Sequence, residues 1–389
     1  MVIRPIASEE YELSRRVESM AFNMGLDTAE LPEDASEQLK YRHAVFDGDM
    51  LCSCIDLYPL RVVMNGHNAG MTGVGTVSTL PEKRRSGYIR ALMKYSLGIA
   101  HERGDAFAFL YPFSNVYYRQ FGYEPCMTRS IVTYPLNGLS QFKQQGSMEM
   151  YLPGGDYAAI EKIYNEFAAD KNFMVMRDAE LWRLKLDKEP FKNCRYVYLH
   201  RDGDGKPDGY LIFSRKPGSD MDTVIEEAPY LSYDALRSMF AFLSTYSGNS
   251  RSAVLTAPLT MRPELFFTEP NDISSRATFD GMARIVDAVA ALETLNMHEG
   301  ETITIEITDE FLPWNDGVFR VTSHEGKTLA ARSDAPADLS CGVGALTQLV
   351  SGFASLDESA ALGKAEILSN SVLLREVFSK KDLFIANYF

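Results

Sequence analysis

The stretch Val77-Ser-Thr-Leu-Pro-Glu-Lys-Arg-Arg-Ser-Gly-Tyr-Ile-Arg-Ala-Leu-Met93 constrains the fold more than any other part of the chain. The run Gly73–Leu80 reads as a strand, Pro81 ends it, and a basic turn leads into a helix expected over Gly87–Glu102. Gly104 suits the C-terminal cap of that helix, and Ala106–Tyr111 is a second apolar strand. Strand, turn, helix and strand in this order make a βαβ unit, and with it an α/β domain. The turn also carries chemistry. Helix N-termini expose unpaired N–H groups and partial positive charge, which bind phosphate. Gly87 lets a ligand approach the backbone, and Arg84 and Arg85 bring guanidinium groups that grip phosphate oxygens in pairs. A pyrophosphate suits such a turn. Val77, Ser78 and Thr79 could offer strand N–H and C=O groups to an amide-bearing arm. Coenzyme A has both parts.

A chain of 389 residues is too long for one ordinary core, so two or three domains are expected. Upstream of the turn, the pattern predicts a helix over Glu9–Phe22 and strands over His43–Phe46, Leu51–Leu57 and Leu60–Met64. Asp47-Gly48-Asp49 and Asn65-Gly66 supply hairpin turns between them. The middle third repeats the theme: a helix at Tyr157–Ala168, strands at Tyr196–His200 and Tyr210–Phe213, a helix at Tyr233–Leu243 and a strand at Ala253–Ala257. This reads as an internal duplication. The second copy lacks the arginine-rich turn and is expected to have lost the cofactor site. The last third predicts a helix over Met282–Leu295, strands over Glu301–Asp309 and Val318–Ser323, and helices near Cys341–Phe353 and Leu373–Phe378. The expected domains are therefore 1–150, 151–283 and 284–389.

Five scattered cysteines without a Cys-x-x-Cys, and six histidines without a pair at ligand spacing, predict neither a disulfide framework nor a metal site. Cys52 and Cys54 alternate in an apolar run and are expected on one face of a strand. A net charge of −14 repels nucleic acid and attracts cationic partners. No apolar run approaches the roughly 20 residues that cross a membrane, and the N-terminus lacks the pattern of a signal peptide. A cytoplasmic protein that binds neither nucleic acid nor membrane is expected.

A second motif, Tyr117-Tyr118-Arg119-Gln120-Phe121-Gly122-Tyr123, follows the strand at Ala106–Tyr111. Together with the Arg-Arg-x-Gly turn and its helix, it resembles the acetyl-CoA signature of the GNAT acetyltransferase superfamily. Met282-Ala-Arg-Ile-Val-Asp287, Pro313-Trp-Asn-Asp-Gly317 and the terminal Phe389 are similar to a sterol-carrier-protein-like domain. The three parts together resemble the Eis-type acetyltransferases over essentially the whole chain. The resemblance implies an α/β (α+β) fold with tandem GNAT-type domains and a C-terminal sterol-carrier-like α+β domain.

It also implies direct acetyl transfer from acetyl-CoA to a primary amine of a cationic small molecule, aminoglycoside or polyamine-like. Val77, Ser78, Thr79, Arg84, Arg85, Ser86, Gly87, Tyr88 and Ser114 are then the cofactor-binding residues. Tyr118 is the acid that protonates the departing thiolate, with Tyr117 as the adjacent alternative. A tyrosine pKa of about 10 lies near the thiol value of about 8.5, which suits the transfer. The α-carboxylate of Phe389 is the base, its ring anchoring the tail, and a homo-oligomer, a hexamer, is implied. Ile89 stands where the family usually has a small residue, and Tyr388 where some relatives carry an acid. Asp27 and Glu30 are candidates for holding a polycationic amine, against simple surface solvation. Nothing marks Cys126 as an activated nucleophile. Three rival readings stay open: a protein lysine or peptide N-acetyltransferase, a lipid or sterol carrier with an apolar tunnel in the last hundred residues, and a CoA-responsive scaffold that keeps the fold without the activity.

Overall fold

The computed structural model describes residues 1–25, 39–215 and 222–389, so Asp27 and Glu30 lie outside the described residues. The chain divides into two compact units. One comprises Met1–Cys126, Asp280–Lys380 and Asn387–Phe389; the other comprises Met127–Phe279 and Lys381–Ala386.

The first unit opens with β1 (Val2–Pro5), α1 (Tyr11–Phe22), β2 (Arg42–Asp47), β3 (Met50–Met64) and β4 (His67–Thr79). It continues with α2 (Tyr88–Glu102), β5 (Phe107–Leu110) and α3 (Asn115–Arg119). The strands lie in the order β1-β2-β3-β4-β5, and only β4 and β5 run parallel. Asn65 and Gly66 both take positive φ, 53° and 83°, the two-residue turn that matches strand twist and closes the β3–β4 hairpin. The two strands expected over 51–57 and 60–64 are one. Pro59 is tolerated because β2 pairs with β3 only as far as Asp56, so the proline lies where no partner needs its missing N–H. Cys52 and Cys54 are both buried within that strand.

The helices follow from spacing. Leu92, Met93, Leu97 and Ala100 form the buried stripe of α2 and pack on Ile55, Leu57, Val74 and Leu110 of the sheet. Burying each of the larger side chains is worth roughly 1.5–3 kcal/mol. On the opposite face, Tyr11 and Val17 of α1 pack on Ala44, Phe46 and Cys54.

The second unit is built on β6 (Glu124–Pro135), β7 (Ser147–Tyr151), α4 (Ala158–Ala168), β8 (Lys171–Asn172) and α5 (Ala179–Leu186). Then come β9 (Arg195–Arg201), β10 (Pro207–Arg215), β11 (Asp222–Glu227), α6 (Tyr233–Ser244), β12 (Ser252–Pro258) and β13 (Ser274–Ile285). Its strand order is β6-β12-β11-β10-β9-β7, and β11 and β12 run parallel over Asp222–Ile225 and Ser252–Leu255. A hairpin, a strand, a helix and a parallel strand thus recur as they do in β2–β3–β4–α2–β5.

The helix expected over Met282–Leu295 is absent. Met282–Ile285 ends β13, pairing antiparallel with Phe107–Leu110 of β5, and a short α7 (Ala288–Leu292) starts only after Asp287, whose side chain caps it. A short apolar run does not by itself distinguish a buried strand from a helix. Here the decisive residue is Arg284, fully buried against Asp309 and the carbonyl of Phe121. The rest of the first unit carries a five-stranded sheet of β14 (Thr302–Thr308), β15 (Gly317–His324), β16 (Lys327–Arg332), β17 (Leu339–Gly342) and β18 (Ala365–Ile367), in the order β16-β15-β14-β17-β18. With it are α8 (Val343–Ser351), α9 (Leu356–Ala361) and α10 (Ser371–Val377); Cys341 belongs to β17 rather than to the helix after it. Ile303, Ile305 and Ile307 of β14 are fully buried. Last comes β19 (Asp382–Leu383), parallel to β8 within the second unit.

Candidate active site

The end of β4 departs from regular pairing in two ways. Cys54 faces Ser78 and Asp56 faces Gly75, so Thr76 and Val77 together stand opposite Ile55 as a β-bulge, with Thr76 at φ 51°. On its other side, β4 pairs with β5 only over Met71–Val74, and beyond Val74 the two parallel strands part. Gly75 to Thr79 therefore keep one backbone edge without a strand partner, the arrangement an amide-bearing ligand arm pairs with. Ser78 is buried, and its hydroxyl has no hydrogen-bond partner among the described residues. Thr79 is committed: its hydroxyl lies 2.9 Å from that of Ser53, which donates to the carbonyl of Ser78 at 2.6 Å.

Downstream, Gly87 is the N-cap residue of α2 at φ 81°, and no side chain caps the helix. Its first N–H groups are left for a ligand. A glycine is required by the positive φ alone, because a Cβ there would meet nothing within 4 Å. Arg85 also has positive φ, 64°, so the turn curls its backbone around Ser86. Arg84, Arg85 and Ser86 are exposed, and neither arginine is engaged in an ion pair among the described residues. Tyr88 is already tied down, donating from its hydroxyl to Asp47 at 3.1 Å.

Tyr118 lies on α3, whose N-cap Ser114 accepts the Tyr117 N–H at 3.3 Å. Ser114 is thus a capping residue that holds the turn bearing both tyrosines. The Tyr118 ring is buried among Phe113, Tyr117, Phe121 and Tyr123, and burial lifts its pKa above the usual tyrosine range. The phenol therefore stays protonated at neutral pH. Burial pushes the Cys126 thiol up to about 12, which removes it as a nucleophile.

The tail of the chain lies against the parted strands. The Phe389 ring packs on Tyr58, Phe109 and Tyr111, with centroids 6.0, 6.2 and 5.5 Å apart. Tyr111 stacks on Tyr388 at 4.7 Å, and its hydroxyl donates to the carbonyl of Asn387 at 2.7 Å. The fit depends on missing side chains. A Cβ at Gly73 would stand 2.7 Å from Cδ2 of Phe389, and one at Gly75 would stand 3.2 Å from its terminal carbon. Gly73, Gly75, Tyr58 and Tyr111 were not anticipated from the sequence. The signal was there: two glycines inside one strand mark a close approach by another backbone.

Strand alternation sorts these groups. Val74 and Leu110 share a core cluster with Tyr118, whereas Gly73, Gly75, Phe109 and Tyr111, one residue out of phase, face Phe389. Tyr118 and Phe389 thus pack on opposite faces of the sheet where β4 and β5 part. Val77, Tyr88 and Tyr117 pack against the core cluster that contains Tyr118.

Residues 2–126 and 174–285 each match an acetyltransferase (GNAT) domain, and residues 286–385 match a sterol carrier protein domain. The chain is a tandem GNAT N-acetyltransferase. The GNAT domains imply the use of acetyl-CoA, and the free β4 edge with the uncapped α2 N-terminus suits that molecule. The acetyltransferase is 24% identical over 344 residues to an uncharacterized N-acetyltransferase of Streptomyces avermitilis, covering 85% of this chain and 84% of that one. A conserved Enterococcus faecalis protein described as a probable N-acyltransferase is 25% identical, with a TM-score of 0.88 over 100% of this chain and 99% of its own. Eis1 of Mycobacterium abscessus shares the fold at 20% identity, with a TM-score of 0.79 and full coverage of both chains. Among the described residues, no helix is long and apolar enough to cross a membrane.

Proposed function

We propose that the first GNAT domain (1–150) acetylates primary amines of cationic small molecules, aminoglycoside or polyamine-like, by direct transfer. In this reading the sterol-carrier-like domain (284–389) delivers its C-terminus to the site. The observation that carries it is the seat of Phe389 on Gly73 and Gly75, on the face of the sheet opposite Tyr118.

Acetyl-CoA supplies the acyl group as a thioester. Arg84, Arg85 and the N-terminus of α2 hold its phosphates, and the free edge of β4 holds its amide arm. The Phe389 carboxylate draws the ammonium in and receives its proton. A backbone N–H of β4 near the bulge steadies the developing oxyanion, an interaction worth about 3 kcal/mol in comparable sites. Tyr118 then protonates the leaving sulfur, and the second proton that the nitrogen sheds as the amide forms returns to the phenol through water. Holding both reactants in one cleft supplies much of the remaining acceleration, on the order of 7–11 kcal/mol.

The second domain (151–283) is read as a copy that has lost the cofactor site. The N-terminus of α6 is filled by its own cap: Ser232 accepts the Ala235 N–H at 3.0 Å and donates to Asp208 at 3.0 Å, and Asp234 adds negative charge to the first turn. The test is thiol release from acetyl-CoA with a panel of polyamines and aminoglycosides. Wild type, Tyr118→Phe and a chain ending at Tyr388 are compared. Release that is lost in both variants supports the mechanism; release that survives in both overturns the two assignments.

A further inference from the structure

The second unit contains a cavity of about 490 Å³, within the range of small-molecule sites, and every residue lining it belongs to that unit. It opens where β11 and β12 part after Ile225 and Leu255, at the carboxyl ends of parallel strands, where α/β sheets place their ligands. The mechanism above uses none of its residues.

The lining indicates which ligand it takes. Most of its charged groups already have partners. Glu227 is paired with Arg177 and Lys185 at 2.5 and 2.6 Å, Glu226 with Arg195 at 2.9 Å, and Asp170 with Lys171 at 2.6 Å. Asp382 has none. It accepts from the hydroxyl of Thr260 at 2.6 Å, is half-buried, and lies within ion-pair distance of no cation among the described residues. Lys171, paired in register with Asp382 across β8 and β19, acts on it only at longer range, its ammonium being bonded to Asp170 and to the Phe167 carbonyl. A carboxylate burdened by burial gains from a cation brought into contact.

The rest of the wall suits a cation as well. Phe167 and Tyr230 lie 5.8 Å apart and Tyr230 and Tyr233 5.7 Å apart, a run of aromatic rings on the cavity wall. Aromatic faces attract ammonium groups, as the Lys171 Nζ placed 4.1 Å over the Phe167 ring shows within this protein. The C-terminal turn of α4 also reaches the cavity, where Lys171 Nζ donates to the carbonyl of Phe167 at 2.8 Å. Five carboxylates, of Glu166, Asp170, Glu226, Glu227 and Asp382, line the cavity against the one ammonium of Lys171, which disfavours a phosphate or carboxylate.

We infer that this cavity binds an organic ammonium ion, its charge held by Asp382 and its alkyl groups by Tyr230 and Tyr233. The inference does not rest on the assignment of Tyr118 or Phe389.

Choline is the probe, because it has no N–H to acetylate, and 3,3-dimethylbutanol is its uncharged counterpart of the same shape. The full chain is titrated with each by calorimetry, without acetyl-CoA. Wild type is compared with Asp382→Asn, with Tyr230→Ala and with the chain ending at Tyr388. Expected are one choline per chain, no measurable dimethylbutanol binding, and loss of affinity by at least about fivefold in both substituted proteins. The shortened chain should bind as wild type does. Asp382 lies near the tail, so Tyr230→Ala decides if Asp382→Asn fails to fold. Three results overturn the inference: no choline binding by wild type, equal binding of the uncharged probe, or binding lost on removing Phe389 but kept in Tyr230→Ala. None of them bears on whether acetyl-CoA is turned over.

Discussion

Gly73→Ala tests the docked tail more sharply than removing it. The backbone at Gly73 is ordinary strand, so alanine introduces no strain of its own and differs by one methyl group. That methyl would stand 2.7, 2.8 and 3.0 Å from three carbons of the Phe389 ring, against about 3.5–4.0 Å for carbons in comfortable contact. The ring must give way by roughly an ångström, and it has little room, being packed on Tyr58, Phe109 and Tyr111. A misplacement of about 1 Å at a reacting group costs on the order of 100-fold, or about 2.7 kcal/mol of barrier. Steady-state thiol release with a polyamine should show that loss in kcat, while the KM for acetyl-CoA barely moves. The same substitution in a chain ending at Tyr388 should add almost nothing, because the group it displaces is already gone. Full activity in Gly73→Ala, or an equal further loss in the shortened chain, would refute the argument that the glycine acts through the tail.

Three further outcomes are expected. Arg84→Ala and Arg85→Ala each raise the KM for acetyl-CoA by about tenfold with kcat little changed, and an unchanged KM in the double variant would remove the turn from cofactor binding. Arg284→Ala leaves Asp309 buried without its partner and costs about 3–5 kcal/mol in urea unfolding; a loss below about 1 kcal/mol would show the pair to be dispensable. Burial pushes the Glu227 carboxyl up, but Arg177 and Lys185 outweigh it and hold it at about 2 rather than 4.5. Its contribution is therefore complete above about pH 4.5 and lost as the pH falls through about 2. Unfolding midpoints across that range should slope less steeply in Glu227→Gln, and identical slopes would contradict the pairing.

Much of the first domain was legible because its signals are local. Asn65-Gly66 specifies its turn by backbone conformation alone, and the basic turn with Gly87 announces a helix N-terminus within a few residues. What failed was non-local. Met282–Ile285 reads as the start of a helix until β5 is placed beside it and Asp309 is found against Arg284. Pro59 looks like a strand break until β2 is seen to have ended. Tyr118 and Phe389 were named from resemblance, and what seats Phe389 was hidden in two glycines whose purpose appears only when the far end of the chain arrives. The cavity of the second domain had no motif at all, because a carboxylate from β19 and rings from α4 and α6 meet only in three dimensions.

The alternation along β4 and β5 bears on the proposed reaction cycle. An ammonium nitrogen gives up two protons on becoming an amide, and the departing thiolate takes up one. With Phe389 as the base and Tyr118 as the acid on opposite faces of the sheet, the proton held by the carboxylate has to leave from its own face before the next amine binds. In this reading every turnover releases one proton to bulk water, which a pH indicator would count against the amide formed.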